Sequence, residues 1–200
     1  MKTTLMEDTG ANLSASLRIA LATIVLCGGL YPLFIFSFAH FVTPESASGS
    51  LVRNQAGKVI GSRLIAQAFT KPGYFWPRPS AVKYTAEAAG GSNLSPAGPE
   101  VRQRAAQTVK AFGADFRRPL PADLATTSGS GLDPLITLRA ALFQASRVAY
   151  ARGMALSDVQ AAIRRHAAGQ QILESGDGFV NVLELNMELD AARKTNSVPR

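Results

Sequence analysis

The feature that most restricts this chain is an uncharged run near its start. From Ile19 to Pro44 there are 26 residues without Asp, Glu, Lys or Arg, centred on "IALATIVLCGGLYPLFIFSFAHFV". A helix rises about 1.5 Å per residue, so this run can cross a hydrocarbon layer of about 30 Å. Gly28, Gly29 and Pro32 interrupt it; they weaken a helix in water but are tolerated in a bilayer. A cleaved signal peptide has a shorter apolar core, about 7–15 residues. The small residues "SAS" at 46–48 lie too far beyond this one to be an ordinary cleavage site. A buried core helix fits poorly, because the run is apolar on all sides. The expectation is a lead over residues 1–17, a single-pass anchor over 18–42, a body over 43–190 and a flexible polar tail over 191–200.

Charge does not orient the anchor by itself. Lys2 and Arg18 flank one end, Arg53 and Lys58 the other, and positive charge favours the cytoplasmic side. Arg18 abuts the apolar run, which leans towards an inside N-terminus. The body carries 19 Lys+Arg (21 less Lys2 and Arg18) and 12 Asp+Glu (14 less Glu7 and Asp8), a net +7. Its basic residues are scattered rather than clustered with aromatic rings, so nucleic acid is not an expected partner. The single cysteine, Cys27, lies in the apolar run. An intrachain disulfide and a cysteine-ligated metal are therefore excluded.

The body reads as α+β, with short strands and at least three helices. Leu51–Arg53 and Lys58–Ile60 flank "NQAG" as a hairpin. "FTKPGYFWPRPSAVKY", 69–84, has three prolines, five aromatic rings and neither helical nor strand period. It reads as a loop pinned to something, either its own domain or a partner. Pro99 opens a helix that Gly113 ends. The clearest helix runs from Leu138 to Arg152, with Thr137 as N-cap and Gly153 as its stop. Leu138, Ala141, Leu142, Ala145, Val148 and Ala149 form its apolar stripe; Phe143, Arg147 and Tyr150 point away from it. That second face is covered by the domain itself or by a partner. "SDVQ" at 157–160 reads as a capping box for a helix ending near Gly169. "GFVNVLELN" begins β-like over Phe179–Leu183 and turns helical through Leu189.

Catalytic constellations are weak. Ser128 or Ser130, Asp133 and His166 could be written as a triad, but no G-x-S-x-G elbow presents the serine. The acids are spread singly, which gives no metal set; Glu184, Glu188 and Asp190 read as a solvated helix face. "TTSGSGLDPLI" resembles a phosphate cradle, yet it has no following lysine, and Asp133 opposes an anion. A structural turn is the favoured reading.

Six segments then occur in order behind "GGLYPLF": "GSLV…GKVIGSRLIAQAF", "GYFWPRPSA", "GGSNLSP", "SGSGLDPLIT", "QASRVAYARG" and "VNVLELN". Together they resemble the KdpC family, the C subunit of Kdp-type potassium-transporting ATPases, over roughly residues 17–190. Leu135 and Leu138 depart from the His and Pro that many members carry. The resemblance implies a non-catalytic accessory subunit in a bacterial inner membrane, N-terminus cytoplasmic and body outside. It implies three partners: a channel-like potassium-translocating subunit, a P-type ATPase subunit and a very small membrane subunit. It implies no covalently bound cofactor. A catalytic-chaperone role, raising the ATP affinity of the pump subunit, links Gly91, Ser92, Asn93, Ser128, Gly129, Ser130, Gly131 and Gln144 to nucleotide. Contact with the partners is expected at Tyr74, Phe75, Trp76, Phe143, Arg147 and Tyr150. The alternatives are a membrane-anchored extracytoplasmic hydrolase or a ligand-binding protein.

Overall fold

The computed structural model describes residues 2–54, 56–168 and 178–196. The chain forms two compact units, Met1–Ser50 and Leu51–Arg200.

The first unit is helical. Helix α1 (Lys2–Thr23) continues into a π-wound segment (Ile24–Leu30), then α2 (Tyr31–Val42) and a single turn, α3 (Pro44–Ala47). Helix thus continues through much of the lead. The helical stretch Asn12–Val42, 31 residues, holds an 18-residue window of mean hydropathy 2.2 and is long enough to cross a membrane, and none of it is buried in the protein. The π-winding has a local cause. Pro32 has no N–H to offer the carbonyl four residues back, and its ring crowds that carbonyl. A wider turn just before a proline relieves both problems.

The second unit contains two small antiparallel sheets. Strands β1 (Leu51–Arg53) and β2 (Val59–Ser62) form the expected hairpin, with a bulge between Val52 and Arg53. Asn54 shapes its turn: Oδ1 accepts from the N–H groups of Ala56 and Lys58, both at 3.0 Å. Helix α4 (Pro99–Phe112) ends on Gly113 in the left-handed conformation, and α5 (Ala122–Ala125) is a single turn. Strands β3 (Leu135–Thr137) and β4 (Phe179–Asn181) pair with Ile136 opposite Val180.

Each strand of this second sheet feeds directly into a helix that its last residue caps. Thr137 Oγ1 accepts from Ala140 N–H at 3.0 Å and starts α6 (Leu138–Arg152). Asn181 Oδ1 accepts from Leu183 and Glu184 N–H at 3.1 and 3.2 Å and starts α8 (Val182–Asn196). This second cap corrects the strand expected through Leu183. A side chain that satisfies two of the first free N–H groups ends the strand at Asn181. Residues 191–196, expected as flexible tail, belong to α8.

Helix α7 (Leu156–Ala168) also differs from its expected start. The N–H groups of Asp158 and Val159 bond to Ala155 C=O, so Ser157 stands inside the first turn and no capping box forms. The expected stop at Gly169 lies outside the described residues. The core gathers Ile136 and Val180 of the sheet with Ala145 and Val148 of α6, Ile163 of α7 and Leu185 of α8, all at most 1% exposed. Alanines at 140, 141, 145 and 149 on α6 let the neighbouring elements approach closely. One further residue, Phe75, is wholly buried in this core although it belongs to no helix or strand.

Candidate functional site

Residues 71–77 form a strap that crosses α6 and α8. A proline-rich segment has few chances to pair its own backbone, and buried polar groups must find partners elsewhere. Here the partners are side chains. Asn186 Oδ1 accepts from Phe75 N–H at 2.8 Å, and Asn186 Nδ2 donates to Phe75 C=O at 3.0 Å. Gln144 does the same for Trp76: its Oε1 accepts from the N–H at 2.9 Å, and its Nε2 donates to the C=O at 3.0 Å. Successive residues of an extended chain face opposite sides. The strap therefore presents one donor–acceptor pair to α8 and the next to α6. Each carboxamide supplies the pairing that a neighbouring strand would give. Both are 1% exposed.

Two arginines complete the attachment. Arg147 donates to the carbonyls of Pro72 at 2.5 Å and Tyr74 at 3.0 Å, and to Gln144 Oε1 at 2.7 Å. Its guanidinium stacks 3.9 Å above the Trp76 ring. Burial draws its pKa down to about 10, which leaves it charged at neutral pH. Arg152 donates from Nε to Gly73 C=O at 2.5 Å and from Nη1 to Asp190 at 2.8 Å. Lys71 C=O accepts from Tyr74 N–H and from the Trp76 indole N–H, both at 3.1 Å. Six consecutive carbonyls, from Lys71 to Trp76, are thus hydrogen-bonded.

The face of α6 expected to be covered by the domain or a partner is mostly covered by the domain. Phe75 is 0% exposed, so it supports the strap from within and is not itself a surface contact. Trp76 meets Phe112 edge-on at 5.2 Å, and Phe112 meets Phe143 at 6.3 Å. Arg118 lies over the Phe143 ring and donates to the Phe143 carbonyl. Tyr74 stacks on Phe69 and donates to Asp190. Only Tyr150 of the six stands open, at 91% exposure. A second open ring, Phe116 at 86%, was missed by the sequence reading. Its signal was the turn Asp115–Arg118, in which Asp115 Oδ1 accepts from Arg117 and Arg118 N–H and holds the ring outward. Asn186 was also missed, for want of any local pattern marking it.

Two glycine-serine segments linked to nucleotide by resemblance lie against each other. Gly90 N–H donates to Ser130 C=O at 2.7 Å, and Thr127 Oγ1 reaches Ser92 Oγ at 3.4 Å. The stretch 128–134 leads into β3, with α6 following only after Thr137, so it is not at a helix N-terminus. Three of its N–H groups are occupied: Ser128 donates to Pro79, Gly131 to Ser128 and Leu132 to Ser130 Oγ. Asp133 caps Leu135 N–H and pairs with Arg78 at 3.1 Å. Gly131 has φ +69°, and a Cβ there would sit 2.8 Å from Gly90 C=O, so only glycine fits. These contacts fit the structural turn favoured from the sequence. Gln144 is engaged elsewhere, at the strap.

The triad residues do not converge. Asp133 is held by Arg78, and His166 Nε2 lies 2.7 Å from Glu188 Oε2. The supposedly solvated acids of α8 are tethers: Glu184 pairs with Arg63, Glu188 with Arg165 and His166, Asp190 with Arg152. Among the described residues no group of three or more His, Cys, Asp or Glu is arranged to hold a metal ion. Partial burial pushes the Glu188 pKa up, but hydrogen bonds and charge from Arg165 and His166 outweigh this and lower it. A depressed carboxylate stabilises the fold above its unfolded pKa, and that contribution is lost as pH falls through the folded value. Glu188→Gln should therefore cost up to about 1 kcal/mol at neutral pH, the pair being partly exposed. The difference from wild type should vanish in acid, as urea unfolding at several pH values would measure.

The family model for "K+-transporting ATPase, c chain" (KdpC) matches residues 13–191. A "Potassium-transporting ATPase KdpC subunit" from Parvibaculum lavamentivorans is 49% identical over 88% of this chain and 94% of its own length. Proteins of the same name from Paraburkholderia xenovorans and Myxococcus xanthus are 44% and 43% identical, over 84% and 88% of this chain and 91% and 85% of theirs. With the matched region running from the apolar helix to α8, the chain belongs to the KdpC family, the C chain of potassium-transporting ATPases.

Proposed function

We propose that this chain is a non-catalytic accessory subunit of a high-affinity, ATP-driven potassium uptake pump in a bacterial inner membrane. It stabilises a complex with a channel-like potassium-translocating subunit, a P-type ATPase subunit and a small membrane subunit. The observation that carries this reading is the division of labour within a KdpC-family chain. One apolar helix buries nothing in the protein, while the body spends its polar side chains on fixing its own loops. The body faces outwards and docks through exposed positions such as Tyr150 and Phe116. Any effect on ATP affinity then reaches the pump subunit as coupling between states that this chain contacts differently.

The test is purification of the C-terminally tagged chain from membranes in mild detergent. Recovery of the other three subunits in fixed ratio is expected; a chain that comes down alone overturns the reading. Topology has its own check. Ser157 is exposed and the body has no cysteine, so Ser157→Cys should react with an impermeant maleimide added outside intact spheroplasts. Protection until the membrane is broken would place the body inside.

A further inference from the structure

Gln144 and Asn186 stand on different helices, yet they do one job. Each is buried, and each uses both ends of its carboxamide on the backbone of one strap residue. Gln144 Oε1 also accepts from Arg147, so it takes two hydrogen bonds while Nε2 gives one. For the side chain to bind a nucleotide, Trp76 would have to lose its N–H and C=O partners in a part-buried setting, which is unfavourable. We propose that Gln144 is a positioning residue of the strap rather than a nucleotide contact, and that Asn186 is its functional counterpart.

The strap is more fully fixed than a covering loop requires. All six carbonyls from Lys71 to Trp76 are held, by Asn186, Gln144, Arg147, Arg152 and the strap itself. Its leading residues, Lys71 and Pro72, remain exposed. A surface segment held in one conformation before it meets a partner avoids the ordering cost of binding. The two amides set that conformation, and the assembled pump reads it; this step rests on the accessory-subunit reading above.

The experiment uses the assembled pump with Gln144→Glu, Asn186→Asp or Arg147→Lys. The first two are isosteric; each replaces the amide donor to the strap by a carboxyl oxygen and brings an ionisable group into a buried position. The third keeps the charge but cannot span the Pro72 and Tyr74 carbonyls as a guanidinium does. The readouts are chymotrypsin cleavage after Tyr74 and Phe75, and the KM for ATP and maximal rate of potassium-stimulated ATP hydrolysis. All three variants should be cleaved at least tenfold faster. They should also share one kinetic phenotype, with retention of the subunit or maximal rate falling together. A several-fold rise in the KM for ATP with Gln144→Glu but not with Asn186→Asp or Arg147→Lys would overturn the proposal and return Gln144 to the nucleotide. Unchanged cleavage and turnover in all three would overturn it too. Failure of the wild-type chain to co-purify would instead defeat the accessory-subunit reading, and it is observed before any variant is made.

Discussion

Phe75→Ala should lower the unfolding free energy of the body by about 3–5 kcal/mol, the range for deleting a buried phenylalanine ring. Phe75 is wholly buried among core residues from α6, α7 and α8, and its backbone is held on both polar atoms by Asn186. The strap around it is tied to α6 and α8, so the core has little freedom to collapse into the space left. Domains are stable by only about 5–15 kcal/mol, so this one change removes a large share. Urea unfolding of the detergent-solubilised chain measures it, with the single tryptophan, Trp76, as an adjacent fluorescent reporter. A loss below about 1 kcal/mol would mean that the ring is not a core residue.

Asp190→Ala should cost about 3 kcal/mol, and more than Arg152→Met. The pair is lopsided: the Arg152 side chain is 3% exposed, that of Asp190 45%. Removing the acid strands a buried charge whose Nη2 already has no hydrogen-bond partner. It also takes the acceptor of the Tyr74 hydroxyl. Removing the arginine takes away the buried charge itself and leaves Asp190 partly hydrated. Its main loss is the bond to Gly73 C=O, about 1 kcal/mol. The order of the two variants in the same unfolding assay is the decisive result; Arg152→Met as the costlier change would show that the desolvated charge does not dominate.

The nucleotide question illustrates how far single residues can be read in isolation. Resemblance placed Gln144 with the glycine-serine segments. The structure does bring Gly90 against Ser130 and Thr127 against Ser92, but it commits Gln144 to Trp76. A polar residue on a helix reads the same in sequence whether its partner is a ligand, water or a distant backbone. The acids of α8 show the same limit: spacing on one helix does not reveal that Arg63, Arg165 and Arg152 arrive from elsewhere to meet them.

What the sequence determined by itself was local. The apolar run was legible because a bilayer-spanning length is a matter of composition. The β1–β2 hairpin, α4 with its closing Gly113, and α6 between Thr137 and Gly153 were legible because turns, caps and stops act within a few residues. Tertiary structure decided the rest. It ended β4 at Asn181, buried Phe75, and joined the strap to two helices through residues 68 and 111 positions away. The physical reason is that a buried carbonyl or N–H must be paired, while the chain does not record in its local pattern which remote side chain will pair it.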